Sequence, residues 1–503
     1  MGPTTATDTS SKGEKSIRDV AIIGAGISGI TSAAHLIREG LNVTVFERTN
    51  KIGGAWVYDH QLDRDPPFPN TIPPAYDWRD IDKPGLSVEE ANLILAPPGP
   101  CYAGLKNNVP TSLMKSSLLK WSGGTEEFVD QARIVSYVTD IANSQDVTEN
   151  IRFGTRVENV SKPEGSLRWK LITCTLTANG PTYSITRHQE EFDAVVVASG
   201  HYHVPFVPDV PGLSEWKQLF PDRILHSKRY RTADAFRDKT VLLIGAGASS
   251  LDIAREVIEV GGQVYQSRRS SKYDLIASRL PKEVERVAMV AQFITAQSSP
   301  PARETLSGKA IPGTVVLEDG RILEGIDYVV VATGYITSYP FLGELEQPLV
   351  DWKDAGERTV ITSDGYITHN LHQDIFYIPD PTLAFIGVSN LVSTFSLFDF
   401  QAKIMAKVLA GKVRLPTELD MKQEQRERKR RFQPGDRFHA LLLGEPAYIN
   451  DLLAWANEQL VDGCFEPMTG MDADWLEAYE FYKGRRTSNT TEQEGDKPNG
   501  NAG

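Results

Sequence analysis

Cysteine is scarce in this chain of 503 residues, and its scarcity limits the chemistry that the protein can perform. The three cysteines, Cys101, Cys174 and Cys464, stand far apart, and no C-x-x-C pair occurs. Dithiol redox chemistry and cysteine zinc sites both need closely spaced thiols. The sequence therefore predicts a protein of a reducing compartment, without structural disulfides and without a bound metal.

Long hydrophobic runs and an excess of positive charge are absent as well. No apolar run approaches the roughly 18 residues that a membrane span needs, and residues 1–16 are too polar for a signal peptide. Acidic residues outnumber basic ones by 66 to 53, which gives a formal net charge of −13. This balance argues against nucleic acid or an anionic membrane as the main partner. We expect a cytoplasmic protein that does not associate with membranes.

The two ends of the chain differ in composition from its middle. Residues 1–16 and 484–503 hold few apolar side chains that could offset the entropy cost of ordering. We expect both segments to be disordered tails. Between them, short β-branched runs alternate with helical patterns, and a strand, a helix and a strand follow one another twice, at 20–47 and at 241–266. This order is typical of a doubly wound α/β fold with buried parallel strands.

Two further apolar runs place the second unit inside the first. Residues 192–200 and 326–334 are similar in sequence, and they bracket the second strand-helix-strand unit. We therefore predict two Rossmann-like dinucleotide-binding domains, of which the second is inserted into a discontinuous first domain. The predicted first domain spans 17–215 and 331–483, with helices at its C-terminal end, and the inserted domain spans 216–330.

Three smaller features concern other parts of the chain. Asp319-Gly320, just before the second apolar run, signals a type I′ hairpin turn. The charged run 422–431 is typical of a solvated helical face rather than a localisation signal. Aromatic residues of the segment 416–483 are predicted to pack in a helical core, the alternative being a substrate cage. They are Trp455, Phe465, Trp475, Tyr479, Phe481 and Tyr482.

The first unit carries a glycine pattern that suits a dinucleotide. Gly24, Gly26 and Gly29 form G-x-G-x-x-G directly after an apolar strand. The first glycine makes a tight turn, the second lets the backbone approach a pyrophosphate, and the third allows close packing of helix and strand. Glu47 ends the next strand, where its carboxylate can accept hydrogen bonds from ribose hydroxyls and repels a 2′-phosphate. The first site therefore favours FAD or NAD over NADP.

The second unit has the same turn with the opposite charge preference. A serine replaces its third glycine and is small enough for the same packing of helix and strand. Two arginines follow its second strand where the first unit has an acid. Guanidinium groups bind phosphate through paired, charge-assisted hydrogen bonds, so this site favours NADPH. The residues predicted to bind it are Gly245, Gly247, Ser249, Ser250, Arg268 and Arg269.

An FAD site and an NADPH site in one chain indicate that NADPH reduces a flavin. The electrons then need an acceptor. Disulfide reductases of this architecture use a cysteine pair beside the flavin, and this chain has no such pair. We therefore expect O2 to be the acceptor.

Further motifs resemble those of the flavin-containing monooxygenases, and the similarity runs through nearly all of 18–415. Residues 53–56 (G-G-A-W) resemble the family's G-G-x-W turn beside the flavin. Residues 102–114 resemble its Y-x-x-L-x-T-N-x-P-x-x-L-M stretch, with Asn107 in place of Thr. Residues 220–230 resemble its F-x-G-x-x-x-H-x-x-x-[FY] fingerprint, with Asp222 at the glycine position. Residues 198–205 and 332–335 resemble its A-T-G linkers, which also accounts for the H-x-H at 201–203 without a metal.

The resemblance implies roles for several of these residues. Asn108 would be the catalytic residue, beside the reactive edge of the flavin and in one hydrogen-bonded cluster with bound NADP. His226 would couple the domains rather than transfer a proton. The residues that the resemblance adds to the cofactor sites are Gly54, Ala55, Trp56, Asn107, Asn108 and Thr333.

The resemblance also implies an activity. It is that of a soluble, class B flavoprotein monooxygenase of secondary metabolism, with N,N-dimethylaniline monooxygenase activity. Such an enzyme consumes NADPH and O2 and, through a C4a-hydroperoxyflavin, adds one oxygen atom to a nitrogen or sulfur of a small molecule. Tyr230 favours this chemistry, because Baeyer-Villiger relatives have Trp there. Ketone oxygenation of the Baeyer-Villiger type and a non-catalytic NADP-sensing protein are the alternatives. The substrate and a homodimer both stay open.

Overall fold

The computed structural model describes residues 16–74, 78–269, 271, 273–275, 277–296, 309–432, 437–442, 444–461 and 466–491. The expectations for 1–15, 492–503, Cys464 and Phe465 lie outside this part. The strands are β1 (Asp19–Ile23), β2 (Asn42–Phe46), β3 (Ile151–Arg152), β4 (Thr155–Ser161), β5 (Trp169–Asn179), β6 (Thr182–Phe192), β7 (Ala194–Val197), β8 (Val204–Pro205), β9 (Ile224–His226), β10 (Thr240–Ile244), β11 (Gln263–Ser267), β12 (Glu285–Val287), β13 (Val290–Thr295), β14 (Gly313–Leu317), β15 (Ile322–Leu323), β16 (Tyr328–Val331), β17 (Tyr335–Ile336), β18 (Leu371–His372), β19 (Phe376–Tyr377) and β20 (Leu383–Phe385). The α-helices are α1 (Ile27–Arg38), α2 (Val88–Leu95), α3 (Gln131–Ser144), α4 (Leu213–Leu219), α5 (Ala248–Glu259), α6 (Thr394–Leu409), α7 (Glu418–Arg431), α8 (Glu445–Glu458) and α9 (Ala473–Thr491).

The larger sheet has seven strands in the order β18-β19-β20-β7-β1-β2-β3. From β20 to β3 the neighbouring strands are parallel, and α1 connects β1 to β2 as predicted. Alternate residues of β1 enter different cores: Val20 and Ile22 pack with α1, α3 and α6, whereas Ala21 and Ile23 pack on the opposite face. The prediction of apolar strands buried on both faces is therefore confirmed.

The second sheet has five strands in the order β12-β11-β10-β16-β9, and all its neighbours are parallel. Helix α5 connects β10 to β11, which completes the second Rossmann-like unit. All five strands lie within residues 224–331, whereas the strands of the larger sheet lie before 198 and after 370. The second unit is therefore inserted into the first, as the sequence predicts. The boundaries at 215 and 330 stay predictions.

The chain crosses between the two sheets twice, and the crossings lie side by side. β8 and β17 pair antiparallel, with Pro205 opposite Tyr335. The Phe206 N–H donates to the Gly334 carbonyl at 2.9 Å, which extends this contact. The two linkers that the sequence marks with A-S-G and A-T-G therefore form one two-stranded hinge.

The turn between β14 and β15 differs from the predicted type I′ turn. Gly320 has a φ of +83°, but Asp319 is not among the described residues with positive φ. The Gly320 N–H donates to the Leu317 carbonyl, and the Leu317 N–H donates to the Arg321 carbonyl. This is a three-residue loop with glycine in the left-handed region, because the strand register pairs Leu317 with Arg321 rather than with a closer residue.

The C-terminal helices pack on the larger sheet's core. Trp475 and Tyr479 are buried there, which supports the prediction of a helical core, although Phe481 is 68% exposed. Helix α9 extends to Thr491, past position 484 where the sequence predicts a disordered tail to begin. In α7, only Met421 and Gln425 are buried, and most of its charged run is a solvated face as expected. Arg428 is the exception, because it pairs with the buried Asp374.

Candidate functional site

The first glycine-rich turn joins β1 to α1 under tight steric limits. Gly24 has a φ of +104°, and a Cβ atom there would lie 2.7 Å from the Ala198 carbonyl oxygen. A Cβ atom at Gly29 would overlap the Gly24 carbonyl oxygen. Both positions therefore require glycine, for the turn and for close packing of α1 on the sheet.

The second glycine of this turn faces the G-G-A-W segment. Gly54 has a φ of +57°, and a Cβ atom there would lie 3.0 Å from the Gly26 Cα. The Gly53 N–H donates to the Ala25 carbonyl at 3.1 Å, so the two segments are bonded together. Gly54, Ala55 and Trp56 form one helical turn beside the start of α1. The backbones of Gly26 and Gly54 thus lie next to each other at the N-terminus of α1, where binding of a pyrophosphate is favoured.

Glu47 lies directly behind this turn and is buried. Its Oε2 accepts from the Ala25 N–H at 2.8 Å, and its Oε1 accepts from the N–H and the hydroxyl of Thr49 at 2.8 and 2.9 Å. A carboxylate has about four acceptor positions, so one position on Oε2 is left for a ribose hydroxyl. These residues fit the adenosine half of FAD.

The second glycine-rich turn has the same backbone shape. Gly245 has a φ of +114°, and a Cβ atom there would clash with the Ala332 carbonyl oxygen. At Gly247 a Cβ atom would meet nothing within 4 Å. Gly247 thus leaves the N-terminus of α5 accessible to a phosphate. Ser249, in the first turn of α5, makes no side-chain hydrogen bond to another residue that the structure describes.

Ser250 packs where the sequence places a substitute for the third glycine. It is fully buried, and its hydroxyl accepts from Gln266 Nε2 at 2.9 Å. Its small side chain lets α5 pack on β11, which is the packing role of the third glycine. A contact of Ser250 with the nucleotide stays a prediction.

The two predicted arginines lie where β11 ends. Arg268 is half-buried and Arg269 is exposed, and neither guanidinium group pairs with another described residue. A third cation, Arg286 on β12, donates from Nε to Gln266 Oε1 at 3.0 Å. Burial, followed by the nearby Arg268 guanidinium, lowers the pKa of Arg286. Sequence patterns do not reveal Arg286, because it comes from another strand with acidic neighbours.

The two adjacent asparagines have opposite surroundings. Asn107 is buried, and its amide donates to the carbonyls of Val109 and Glu127 at 2.7 and 2.8 Å. Its Oδ1 accepts from the Val129 N–H at 2.6 Å. Both amide N–H groups are thus occupied, so the Asn107 side chain shapes the loop. A contact of Asn107 with a cofactor stays a prediction. Asn108 is exposed, and within the described ranges its side chain has no hydrogen-bond partner.

The segment that carries Asn108 also contacts the inserted domain. The Tyr102 hydroxyl donates to Asp252 Oδ2 on α5 at 2.5 Å. The Ala103 N–H donates to the Arg231 carbonyl at 2.9 Å. Asn108 therefore belongs to a loop that joins the two nucleotide-binding domains.

Three histidines lie along the linkers, and all are hydrogen-bonded. His226 is buried, donates from Nε2 to the Gly334 carbonyl at 3.1 Å, and accepts at Nδ1 from the Lys228 N–H. Burial lowers the pKa of His226 to about 3 and that of His201 to about 4. His203 Nε2 donates to the Ser199 carbonyl at 2.6 Å. These histidines are neutral at pH 7 and hold the linkers. Among the described residues no group of three or more metal-ligating side chains occurs.

Thr333 also holds the linkers together. Its hydroxyl donates to the Phe206 carbonyl at 2.5 Å. A contact of Thr333 with a cofactor stays a prediction. No described helix has both the length and the apolar character for crossing a bilayer.

Comparisons with known families match these features. A family model described as flavin-binding monooxygenase-like matches residues 102–295 and 309–453. A second model, an NAD(P)-binding Rossmann-like domain, matches residues 22–71, which include the first glycine-rich turn and Glu47.

Individual proteins match over most of their length. Flavin-containing monooxygenase ustF2 of Aspergillus flavus is 39% identical over 485 residues, which cover 92% of this chain and 96% of that protein. Flavin-containing monooxygenase iboF of Amanita muscaria is 30% identical, with 80% of each chain covered. The solved S-allyl-L-cysteine S-oxygenase of Allium sativum has the same fold, with a TM-score of 0.67 and 23% identity over 94% of each chain.

Proposed function

Because this chain belongs to the flavin-binding monooxygenase-like family, we propose that it uses FAD and NADPH to add one oxygen atom of O2 to a nitrogen or sulfur atom of a small molecule. The observation that carries this proposal is the pair of glycine-rich turns, which have side chains of opposite charge beside them. The first is backed by the buried Glu47, and the second by Arg268 and Arg269, whose guanidinium groups have no partner among the described residues.

The chain's residues bind and orient the cofactors. FAD would lie along Gly26 and Gly54, with a ribose hydroxyl on Glu47 Oε2. NADPH would place its pyrophosphate at the N-terminus of α5, near Ser249, and its 2′-phosphate on Arg268 and Arg269. When bound, the cofactors supply hydride transfer to the flavin and electron transfer to O2.

The residues between the two sites support an orienting role. The histidines of the linkers are neutral and already hydrogen-bonded, so they are not placed to donate protons at pH 7. Asn108 lies in the loop 102–114, which joins the two domains. Its side-chain donors and acceptor make no hydrogen bond to another described residue. We assign to Asn108 a hydrogen bond with the bound cofactors, which would protect the reactive form of the flavin from water.

Nitrogen or sulfur is proposed as the reacting atom rather than a ketone carbon. The relatives that span most of the chain are flavin-containing monooxygenases, and the comparisons do not favour a Baeyer-Villiger reaction. Tyr230 stands where Baeyer-Villiger relatives have Trp. It is buried, and its hydroxyl donates to Glu256.

The test uses the purified protein with two probes, methyl p-tolyl sulfide and N,N-dimethylaniline. We expect a yellow protein that releases FAD, oxidises NADPH, and places one 18O atom from 18O2 in a sulfoxide or an N-oxide. A Gly26→Val variant is the control, because its side chain occupies the space beside Gly54 and prevents FAD from binding. Conversion of a ketone probe such as cyclohexanone to a lactone, with no sulfoxide or N-oxide, would overturn the proposal.

A further inference from the structure

The two nucleotide-binding domains also meet at a group of ion pairs outside the cofactor sites. Residues 59–70 follow the G-G-A-W turn and contain three aspartates; we call them the acidic loop. Residues 217–231 include β9 of the inserted domain and contain five lysines and arginines; we call them the basic segment. The acidic loop lies against the basic segment, and it also pairs with the first linker through Asn70 and Val207.

The inner part of this contact is a buried ion pair. Lys228 Nζ donates to Asp63 Oδ2 at 2.5 Å and to the His203 carbonyl at 2.7 Å. The side chains of Lys228 and Asp63 are 3% and 13% exposed. Burial lowers the pKa of Lys228, and the Asp63 carboxylate acts in the opposite direction. An ammonium group buried to this extent needs its carboxylate partner.

The outer part of the contact adds further pairs. Asp65 forms ion pairs with Lys217, at 3.0 Å, and with Arg229. The Gln61 carbonyl accepts from Arg231 Nε and Nη2 at 3.2 and 2.9 Å. Four cations of the basic segment therefore contact the acidic loop of the other domain: Lys217, Lys228, Arg229 and Arg231.

Lys228 connects this contact to both linkers. Its ammonium group binds the His203 carbonyl in the first linker. Its backbone N–H donates to His226 Nδ1, and His226 Nε2 donates to the Gly334 carbonyl in the second linker. Lys228 therefore contacts the first linker directly and the second linker through His226, next to the hinge formed by β8 and β17.

We propose that the acidic loop and the basic segment form an interdomain latch, which fixes the inserted domain in the orientation that brings NADPH to the flavin. Asp63 and Lys228 are its positioning residues. Hydride transfer is sensitive to misplacement of about 1 Å, so a hinge of only two short strands needs further contacts between the domains to fix their orientation. This inference rests on the proposed function only through the use of NADPH and FAD.

The test compares three variants of the flavin-loaded protein with the parent. Asp63→Asn leaves the Lys228 ammonium buried without a carboxylate. Asp63→Asn/Lys228→Met removes both charges. Asp209→Asn is the matched control, because Asp209 is exposed, lies near the first linker and has no ion pair to a described residue. The readouts are the anaerobic rate of flavin reduction at saturating NADPH, per bound flavin, and hydrogen exchange at the Phe206 and Val207 amides, which pair with Gly334 and Asn70.

We expect Asp63→Asn to reduce flavin about 10- to 100-fold more slowly at saturating NADPH and to exchange the two amides faster. The double variant should recover part of the rate, because no buried charge is left unpaired. Asp209→Asn should match the parent. If Asp63→Asn loses its flavin, Asp65→Asn, at the exposed end of the contact, is tested in the same way and should show a smaller loss.

Two results would overturn the latch. One is a fully flavin-loaded Asp63→Asn protein with the parent's reduction rate and the parent's exchange at Phe206 and Val207. The other is an equal loss of rate in Asp209→Asn. If NADPH does not reduce the flavin of the parent protein, the proposed function fails. Hydrogen exchange at Phe206 and Val207 in parent and variants still decides whether the latch holds the domains.

Discussion

At the scale of single residues, Asn107 and Asn108 have identical side chains but different surroundings, and the surroundings give them different roles. Asn107 makes three hydrogen bonds to backbone groups and fixes the loop, whereas the Asn108 side chain is exposed. The family resemblance places both residues at the cofactors and gives the catalytic role to Asn108. The three-dimensional contacts add that the Asn107 side chain is used to shape its loop.

We expect Asn108→Ala to uncouple the enzyme. Hydride transfer should persist, because both glycine-rich turns are intact, but a hydrogen bond to the cofactors is lost. The variant should consume NADPH and release H2O2 with little sulfoxide. The measurement is the ratio of H2O2 to product, with methyl p-tolyl sulfide as substrate.

Asn107→Ala is the comparison for this prediction. It leaves the buried Val129 N–H without its side-chain partner, and an unsatisfied buried group costs about 1–3 kcal/mol. We expect a lower melting temperature for Asn107→Ala and an unchanged one for Asn108→Ala. Tight coupling in Asn108→Ala would remove that residue from the mechanism.

The arginines that follow β11 lead to a prediction about nucleotide choice. Replacing both Arg268 and Arg269 by Ala should lower the ratio of kcat/KM for NADPH to that for NADH by about tenfold to one hundredfold, since hydrogen bonds to charged groups contribute about 1.5–3 kcal/mol. Arg237→Ala, an exposed arginine of the same domain, should leave the ratio unchanged. An unchanged ratio in the double variant would place the phosphate contact elsewhere, for example on Arg286.

At the scale of elements, the C-terminal helix α9 supports the loop that carries Asn108. Trp475 is fully buried and donates from Nε1 to the Leu113 carbonyl at 3.1 Å and to Ser396 Oγ at 3.0 Å. The Ser396 hydroxyl also donates to Leu113. Residues 102–114, α6 and α9 therefore meet at one hydrogen-bonded point.

We expect Trp475→Phe to destabilise the protein by about 2 kcal/mol, because it removes a donor and leaves a cavity in the core. It should also speed up hydrogen exchange around Leu113. Trp455→Phe is the matched control, since the Trp455 Nε1 has no hydrogen-bond partner among the described residues. Thermal unfolding at equal flavin saturation measures both variants. Equal losses would show that ring volume, rather than the hydrogen bond, holds α9 in place.

At the scale of the whole molecule, buried acids make stability depend on pH. Glu445, at the start of α8, is 1% exposed; its Oε2 accepts from the Ser393 N–H, and its Oε1 has no partner among the described residues. Burial raises the pKa of Glu445 from the ordinary 4.5 to about 7. Between these two values the folded protein holds a proton that the unfolded chain has released. The contribution of Glu445 to stability is therefore full below pH 4.5 and is lost as the pH rises to about 7.

We expect Glu445→Gln to be more stable than the parent at pH 8 and similar to it at pH 4.5. The amide stays neutral and still accepts from Ser393, so the gain reaches at most about 3 kcal/mol, at about 1.4 kcal/mol per pH unit of pKa difference. The measurement is the difference in melting temperature between variant and parent at each pH. Glu458→Gln, an exposed acid of the same helix, should show no such dependence, and a difference for Glu445→Gln that does not change with pH would contradict the assignment.

The sequence by itself determined the two glycine-rich turns, the strands and helices around them, the insertion of one domain into the other, and the charge preference of each nucleotide site. These features are readable because their causes are local. A turn with positive φ needs glycine at Gly24 and Gly245, buried strands need continuous apolar runs, and the residue after the second strand of each unit stands at an equivalent position in the two units.

Only the tertiary structure decided which of the two asparagines is exposed, where α9 lies, and that Asp63 meets Lys228. The physical reason is distance along the chain. Asp63 and Lys228 are 165 residues apart, and Trp475 and Leu113 are 362 apart. Such pairs depend on how whole elements pack, because the same side chains in another packing would face water, and no local pattern of residues records that choice.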